Sequence, residues 1–305
     1  MIVLGIHDGH NATAALLRDG TLLGCVSEER LTRIKNQAGY PRGAIDEILR
    51  ISEVKADEID TVAFASQYSI PGDEFVTGKF IEAYRRKFSL RHRARKSFLS
   101  TLRRLGYYQK YAWLRNSNRR RARADRVISH LGLCQKQIQF VEHHTCHAAS
   151  AYFGSGSHSG TVLLTCDGEG DGVCATVGVG KGKEIERLAE TPSDNSLGNL
   201  YSRVTFLLGM KPLDHEYKVM GLAPYADQSG VDSSFEILRQ FVRCSRKHPL
   251  QFENTREVPS QFYYDILSRE LANHRFDWIA GAIQKLTEEL MLEWAKVAIE
   301  TTGLS

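Results

Sequence analysis

The sequence predicts an α/β protein built on open sheets, and three observations carry that prediction. Its first residues alternate strand-like runs with tight turns: residues 2–6, the turn Gly5-Ile6-His7-Asp8-Gly9-His10, then Asn11-Ala12-Thr13-Ala14-Ala15-Leu16-Leu17. Residues 161–166 form a continuous apolar or β-branched run, the pattern of a buried strand, and they end at Asp167, where open α/β sheets place their ligands. Near the end of the chain Ile279, Ile283, Leu286, Leu290 and Val297 recur at helical spacing, as a helix that covers a sheet requires.

In order along the chain, Asp19-Gly20 makes a hairpin turn and residues 21–27 return as a third strand. The charged run Glu28-Glu29-Arg30-Leu31-Thr32-Arg33-Ile34-Lys35 follows, as a solvated strand end or an anion contact. Pro41 opens a helix to about residue 52 with Ala44, Ile45, Ile48 and Leu49 on one face, and residues 59–65 form the next strand. Residues 138–141 read as a short strand and residues 143–153 as one helix. Strands are expected at 173–179 and 184–189, and helices at 197–208, 234–243, 261–272 and 277–302, with Gly303 as the last C-terminal cap.

The 305 residues suffice for one large domain or two ordinary ones, and 42% hydrophobic with 25% charged residues is globular composition. No uncharged apolar run approaches a membrane span. The N-terminus lacks the basic region of a signal peptide, and the six cysteines lack C-x-x-C spacing, so free buried thiols in a reducing cytoplasm are expected. The net charge of +4 hides an asymmetry: residues 81–130 carry 16 Lys/Arg against two acids, and the remainder is net −10. Aromatic and aliphatic residues are interleaved with these arginines at helical spacing. Residues from about 73 to 130 are therefore expected to form a basic helical insertion, either solvated or facing an anionic partner. No RNA-reading motif accompanies it, so nucleic acid is the weaker partner.

The chemistry gathers around Val141-Glu142-His143-His144-Thr145-Cys146-His147 and Asp167-Gly168-Glu169-Gly170-Asp171-Gly172. His143 and His147 are four apart and share a helix face, while His144 also reaches His147 at three, so spacing alone leaves the partner open. There is no Glu after His143, which excludes the H-E-x-x-H of zinc proteases. Two imidazoles near a strand-end carboxylate read either as metal ligands or as capping or core histidines at a strand-to-helix turn. Gly168, Gly170 and Gly172 allow close backbone approach to a phosphate. Lys218, in Glu216-Tyr217-Lys218-Val219-Met220-Gly221-Leu222-Ala223-Pro224-Tyr225, reads as structural or as a phosphate or substrate contact.

Strand, glycine turn, strand, turn, strand is how actin-like ATPase domains begin. Residues 5–16, 28–35, 143–152, Asp167-Gly168 and 218–225, with Asp277, Ala280 and Gln284 more loosely, resemble in order the carbamoyltransferase family. That family includes the nodulation protein U type and the antibiotic O-carbamoyltransferases. The resemblance implies an actin/Hsp70-like (ASKHA) α/β fold, here an incomplete one, and a YrdC-like domain beyond it that makes carbamoyl-adenylate from carbamoyl phosphate and ATP. It implies His143, His147 and Asp167 as ligands of a divalent metal, Fe(II), with a further Asp ligand in later family sequence. The chain then reads as residues 1–305 of a longer enzyme, expected to be inactive alone. Part of the cover of the last helix is expected to lie in that continuation, leaving its stripe half exposed.

The expected activity is ATP-dependent O-carbamoyl transfer to a hydroxyl of a sugar-containing or natural-product acceptor, a small molecule. His10 and Lys218 are the candidate catalytic residues. Gly168, Gly170, Gly172, Arg33 and Lys35 are the candidate nucleotide or anion contacts. The alternatives are a small-molecule kinase of the same superfamily and a non-catalytic anion-binding module; a homo-oligomer is left open.

Overall fold

The computed structural model describes residues 1–68, 84–85, 89–156 and 160–304. The chain divides into two units, residues 1–80 with 89–146 and residues 81–88 with 147–305.

In the first unit, β1 (Ile2–His7), β2 (Thr13–Arg18) and β3 (Thr21–Ser27) form an antiparallel meander. Asp19 and Gly20 both take positive φ, 51° and 83°, at the first two-residue hairpin loop. β4 (Thr61–Ala65) and β5 (Ile138–Val141) then add in parallel, giving the order β3-β2-β1-β4-β5. This is the strand–turn–strand opening on which the actin-like expectation rested. Burial alternates along β1, so Ile2, Leu4 and Ile6 enter the core with Ala14, Leu16, Val62 and Phe64. Each large side chain so buried contributes about 1.5–3 kcal/mol. Helix α1 (Glu28–Thr32) turns the charged run into a short helix, and α2 (Arg42–Ile51) lays Ala44, Ile45 and Ile48 on the core. Gly24 on β3 lets Ile48 approach closely, since a Cβ there would lie 2.6 Å from the end of the Ile48 side chain, which would have to shift.

The basic region contains α3 (Leu90–Arg104), α4 (Tyr108–Arg115) and α5 (Ser117–Leu131). The part of the expected insertion at 73–83 and 86–88 lies outside the described residues. Helix α5 is more than an appendage. It precedes β5 in the crossover from β4, and it buries Arg120, Arg123, Ala124 and Val127, two of them in the core under the sheet.

In the second unit β6 (Thr161–Gly170), β7 (Val173–Lys181) and β8 (Glu184–Pro192) form a three-stranded antiparallel sheet. Around its core lie α7 (Leu197–Leu207), α8 (Glu216–Leu222), α9 (Gln228–Leu238), α10 (Tyr264–Glu270) and α11 (Phe276–Thr302). Helix α6 (His143–Gly154) follows β5, and the division between units falls within it.

The structure departs from three of the sequence expectations. The helix expected at 234–243 ends at Leu238, and β9 (Val242–Cys244) pairs with β10 (Phe252–Asn254) instead. Val242 and Cys244 are buried and Arg243 between them is exposed, which is strand periodicity. The stripe of α11 is also not half exposed. Ile279, Ile283, Leu286 and Leu290 are all buried, in one core with Val231, Phe235 and Leu238 of α9. All six cysteines are unbridged thiols, but only Cys174 and Cys244 are buried; Cys25, Cys134 and Cys166 are exposed. Among the described residues no helix is long and apolar enough to cross a membrane.

Candidate metal centre

Helix α6 begins because Glu142, the residue before it, caps it. Its carboxylate accepts the backbone N–H of His144 at 3.0 Å and of Thr145 at 2.9 Å, satisfying donors that a helix start leaves orphaned and placing negative charge at the positive end of the dipole. Farther along, Tyr152 is buried and packs on Gly180 of β7, where a Cβ would overlap its ring at 2.6 Å. This contact seats the helix against β7, in the sheet that contains β6. His143 and His147 then lie one turn apart on one face.

Asp167 is delivered by an irregularity in β6. Cys166 pairs with Ala175 and Gly170 pairs with Val173, so Asp167, Gly168 and Glu169 stand opposite Cys174 alone. Such a bulge bends the strand and re-aims its side chains. The N-terminus of α7 supports it from behind. The Ser196 hydroxyl donates to the Asp167 carbonyl at 3.1 Å and accepts the Asn199 N–H at 2.9 Å as helix N-cap. Gly198 packs so closely that a Cβ there would lie 2.5 Å from the Asp167 carbonyl oxygen.

The result is a nitrogen, nitrogen, oxygen set. One ligand atom each from His143, His147 and Asp167 lies within 4.8 Å of the others, and His147 Nε2 is 3.6 Å from Asp167 Oδ2. Ligand atoms at about 2.0–2.2 Å from one ion stand roughly 3–3.5 Å apart, so modest side-chain rotation suffices. Two imidazoles and one carboxylate with the remaining positions open suit a divalent transition metal, Fe(II) or Zn(II). The donor chemistry therefore fits the expected group. His144, the alternative partner by spacing, is fully buried and lies outside this set.

The other expected site residues are placed as follows. His10 sits half-buried in the turn after β1. His7 Nε2 donates to its carbonyl at 2.9 Å, and the two rings are 6.0 Å apart. The His7 imidazole is pushed below its usual pKa, first by burial and then by the neighbouring His10; His143 adds to the same effect, so the first turn and the start of α6 are electrostatic neighbours. Arg33 caps α1 in left-handed conformation and is exposed, as is Lys35. Gly168 and Gly170 belong to β6 rather than to a loop, and Asp171 with Gly172, φ 53° and 86°, forms the hairpin turn that follows. Lys218 is exposed on α8, its Nζ 5.9 Å from the Tyr217 ring. The three ligand candidates are thus brought together, whereas Arg33 and Lys35 follow α1 in the first unit and Lys218 lies on α8 in the second.

Sequence reasoning missed Glu142, Ser196, Gly198 and Gly180. A Ser directly before a helix expected at residue 197 was a readable N-cap signal. The two glycines gave no local signal, because their need arises from close approach in space.

Residues 2–305 match the family model described as Carbamoyltransferase N-terminus. Nodulation protein NolNO of Sinorhizobium fredii is 33% identical over 229 residues, which is 74% of this chain and 29% of that protein. An uncharacterized protein, sll1178, of Synechocystis sp. is 28% identical over 97% of this chain and 48% of its own length. Nodulation protein NolO of Bradyrhizobium diazoefficiens is 42% identical over 101 residues, 33% of this chain and 18% of that protein. The chain therefore spans half or less of the length of these relatives. Among solved structures, the activator of the 2-hydroxyisocaproyl-CoA dehydratase from Clostridium difficile with bound ADPNP is similar at TM-score 0.40 and 9% identity, covering 100% of this chain and 77% of that one. Component A of the Acidaminococcus fermentans (R)-2-hydroxyglutaryl-CoA dehydratase is similar at TM-score 0.38 and 12% identity, covering 100% and 90%.

Proposed function

The chain belongs to the family of carbamoyltransferase N-terminal regions, and from that membership we propose that it carries the transfer site of an ATP-dependent O-carbamoyltransferase. The donor is carbamoyl-adenylate, made from carbamoyl phosphate and ATP, and the acceptor is a hydroxyl of a sugar-containing or natural-product molecule. The observation that carries this reading is the His143, His147, Asp167 donor set on a chain of this family.

A carbamoyl carbonyl is a poor electrophile because its nitrogen donates into it. His143, His147 and Asp167 would hold a divalent metal, Fe(II), which when bound supplies Lewis-acid polarisation of that carbonyl. The acceptor oxygen attacks the carbonyl carbon, the bond from carbon to the phosphate oxygen breaks, and AMP leaves. His10 takes the proton of the attacking hydroxyl or contacts the acyl phosphate. Arg33, Lys35 and Lys218 are the candidate cationic contacts for phosphate, and Gly168, Gly170 and Gly172 the candidate points of close backbone approach. Glu142, Ser196 and Gly198 hold the ligand-bearing backbone in place, and such support decides metal affinity by the orientation it enforces.

The test is incubation of the full-length protein with carbamoyl phosphate, ATP and a panel of hydroxyl-bearing acceptors, read by mass spectrometry. The expected result is an acceptor heavier by one carbamoyl group, with AMP released in equal amount. Phosphorylated acceptor with ADP release would overturn the reading in favour of a kinase.

A further inference from the structure

We infer that Arg123 is a positioning residue that sets the turn after β1, and with it His10, for catalysis. The chemical consequence rests on the function proposed above; the geometry stands within the first unit alone.

Arg123 lies on α5 and is 7% exposed. Its Nε donates to Asp8 Oδ2 at 2.7 Å and its Nη2 to Asp8 Oδ1 at 2.7 Å, a two-pronged match of guanidinium and carboxylate. Its Nη1 donates to the Ser66 carbonyl at 2.8 Å. Asp8 directly follows β1 and Ser66 directly follows β4, and these strands are parallel neighbours with Ile6 paired to Phe64. One side chain thus ties together the carboxyl ends of two adjacent strands, the edge at which open α/β sheets bind ligands. The guanidinium is held by the Phe64 and Phe140 rings, which are stacked 5.1 Å apart, with Arg123 Cζ 4.5 and 5.0 Å from their centroids.

A buried ion pair is seldom a gain in stability over apolar packing of the same volume, so its use lies in what it fixes. Here it fixes the first residue of a turn that carries strain and a candidate catalytic group. Asn11 adopts a left-handed φ of 56°. The Gly9 carbonyl accepts the Gly39 N–H at 3.1 Å, and the His10 carbonyl accepts from His7. With the carbonyls of Gly9 and His10 and the carboxylate of Asp8 all held, the His10 ring is presented from a defined backbone. Lysine cannot replace the clamp, because an ammonium lacks the planar fork that serves both Asp8 oxygens and the Ser66 carbonyl together.

The test compares Arg123→Lys, Arg123→Met and a control, Arg121→Met at an exposed position of the same helix, in the full-length protein. Transfer kinetics, bound metal and hydrogen exchange of the peptide spanning residues 8–11 are measured. A displaced catalytic group costs about 10–100-fold in rate. The expected result is a kcat loss of that size for Arg123→Lys with acceptor KM changed less than about threefold. Turn exchange rises, metal content is unchanged, and Arg121→Met behaves as wild type. If Arg123→Met fails to fold, Arg123→Lys still decides, since it keeps the charge. A kcat within about twofold of wild type in a folded Arg123 variant would overturn the inference while leaving the function standing. Absence of carbamoyl transfer by wild type would instead overturn the function, and turn exchange alone would then decide the role of Arg123, with unchanged exchange against it.

Discussion

Helices α3 and α5 are each 15 residues long and each is rich in arginine, yet they are used differently. In α3 the described side chains are exposed or half-buried, Leu90 and Phe98 included. In α5 two arginines and two apolar residues are buried. Arg120 lies over the Trp113 ring with Cζ 3.3 Å from its centroid and donates to the Trp113 carbonyl at 2.6 Å, while Arg123 clamps Asp8. The lesson is that a basic run is not one feature. Its charge says that part of it must stay wet; only the partners reached across the fold say which part.

The largest effect that separates the helices is loss of a buried charge partner. Arg123→Met should destabilise the protein by about 3–5 kcal/mol because it leaves the Asp8 carboxylate buried and unpaired. Arg95→Met on α3 should change stability by less than about 0.5 kcal/mol. Urea unfolding of both variants checks this, and equal midpoints would erase the distinction. Next comes packing: Val127→Ala on α5 should cost about 2 kcal/mol, against about 0.5 or less for Leu90→Ala on α3, which is 81% exposed.

A smaller effect concerns how α5 meets α2. The Tyr40 hydroxyl meets His130 Nδ1 at 2.9 Å, and His130 Nε2 meets Asp46 Oδ1 at 2.8 Å. The Tyr40 phenol is pushed up in pKa chiefly by burial, so it stays a neutral donor. Tyr40→Phe should cost about 1 kcal/mol in the same unfolding assay. On α3 the smallest stability change accompanies a gain of information: Arg91→Glu with Arg95→Glu should leave unfolding unaltered but lower the salt needed to elute the protein from heparin. An unchanged elution position would show that these exposed arginines do not engage anions.

The placement of the candidate ligands is partly legible in the sequence. The spacing of His143 and His147 encodes a shared face in any helix, and the β-branched run before Asp167 encodes its strand. The strand–turn–strand opening was legible for the same reason, since period-two burial in β1 and the Asp19-Gly20 turn are local signals. What was hidden depends on approach in space. The bulge at 167–169 shows only in the pairing with β7, and Gly198 is required only because α7 presses against the Asp167 carbonyl. The β9–β10 hairpin was masked because three residues are too few to separate a strand from the end of a helix. The cover of α11 was expected from a continuation of the chain, but it comes from α9, whose buried Val231, Phe235 and Leu238 meet it through contacts that leave no local signal.

The central claim is that His143, His147 and Asp167 form a metal centre that serves carbamoyl transfer. Metal content of the purified full-length protein, wild type against His147→Ala, tests it most directly, with circular dichroism to verify that the fold survives. The account predicts about one transition-metal ion per chain in wild type and a loss of roughly tenfold or more in affinity in the folded variant. The same metal content and affinity in both proteins would contradict it.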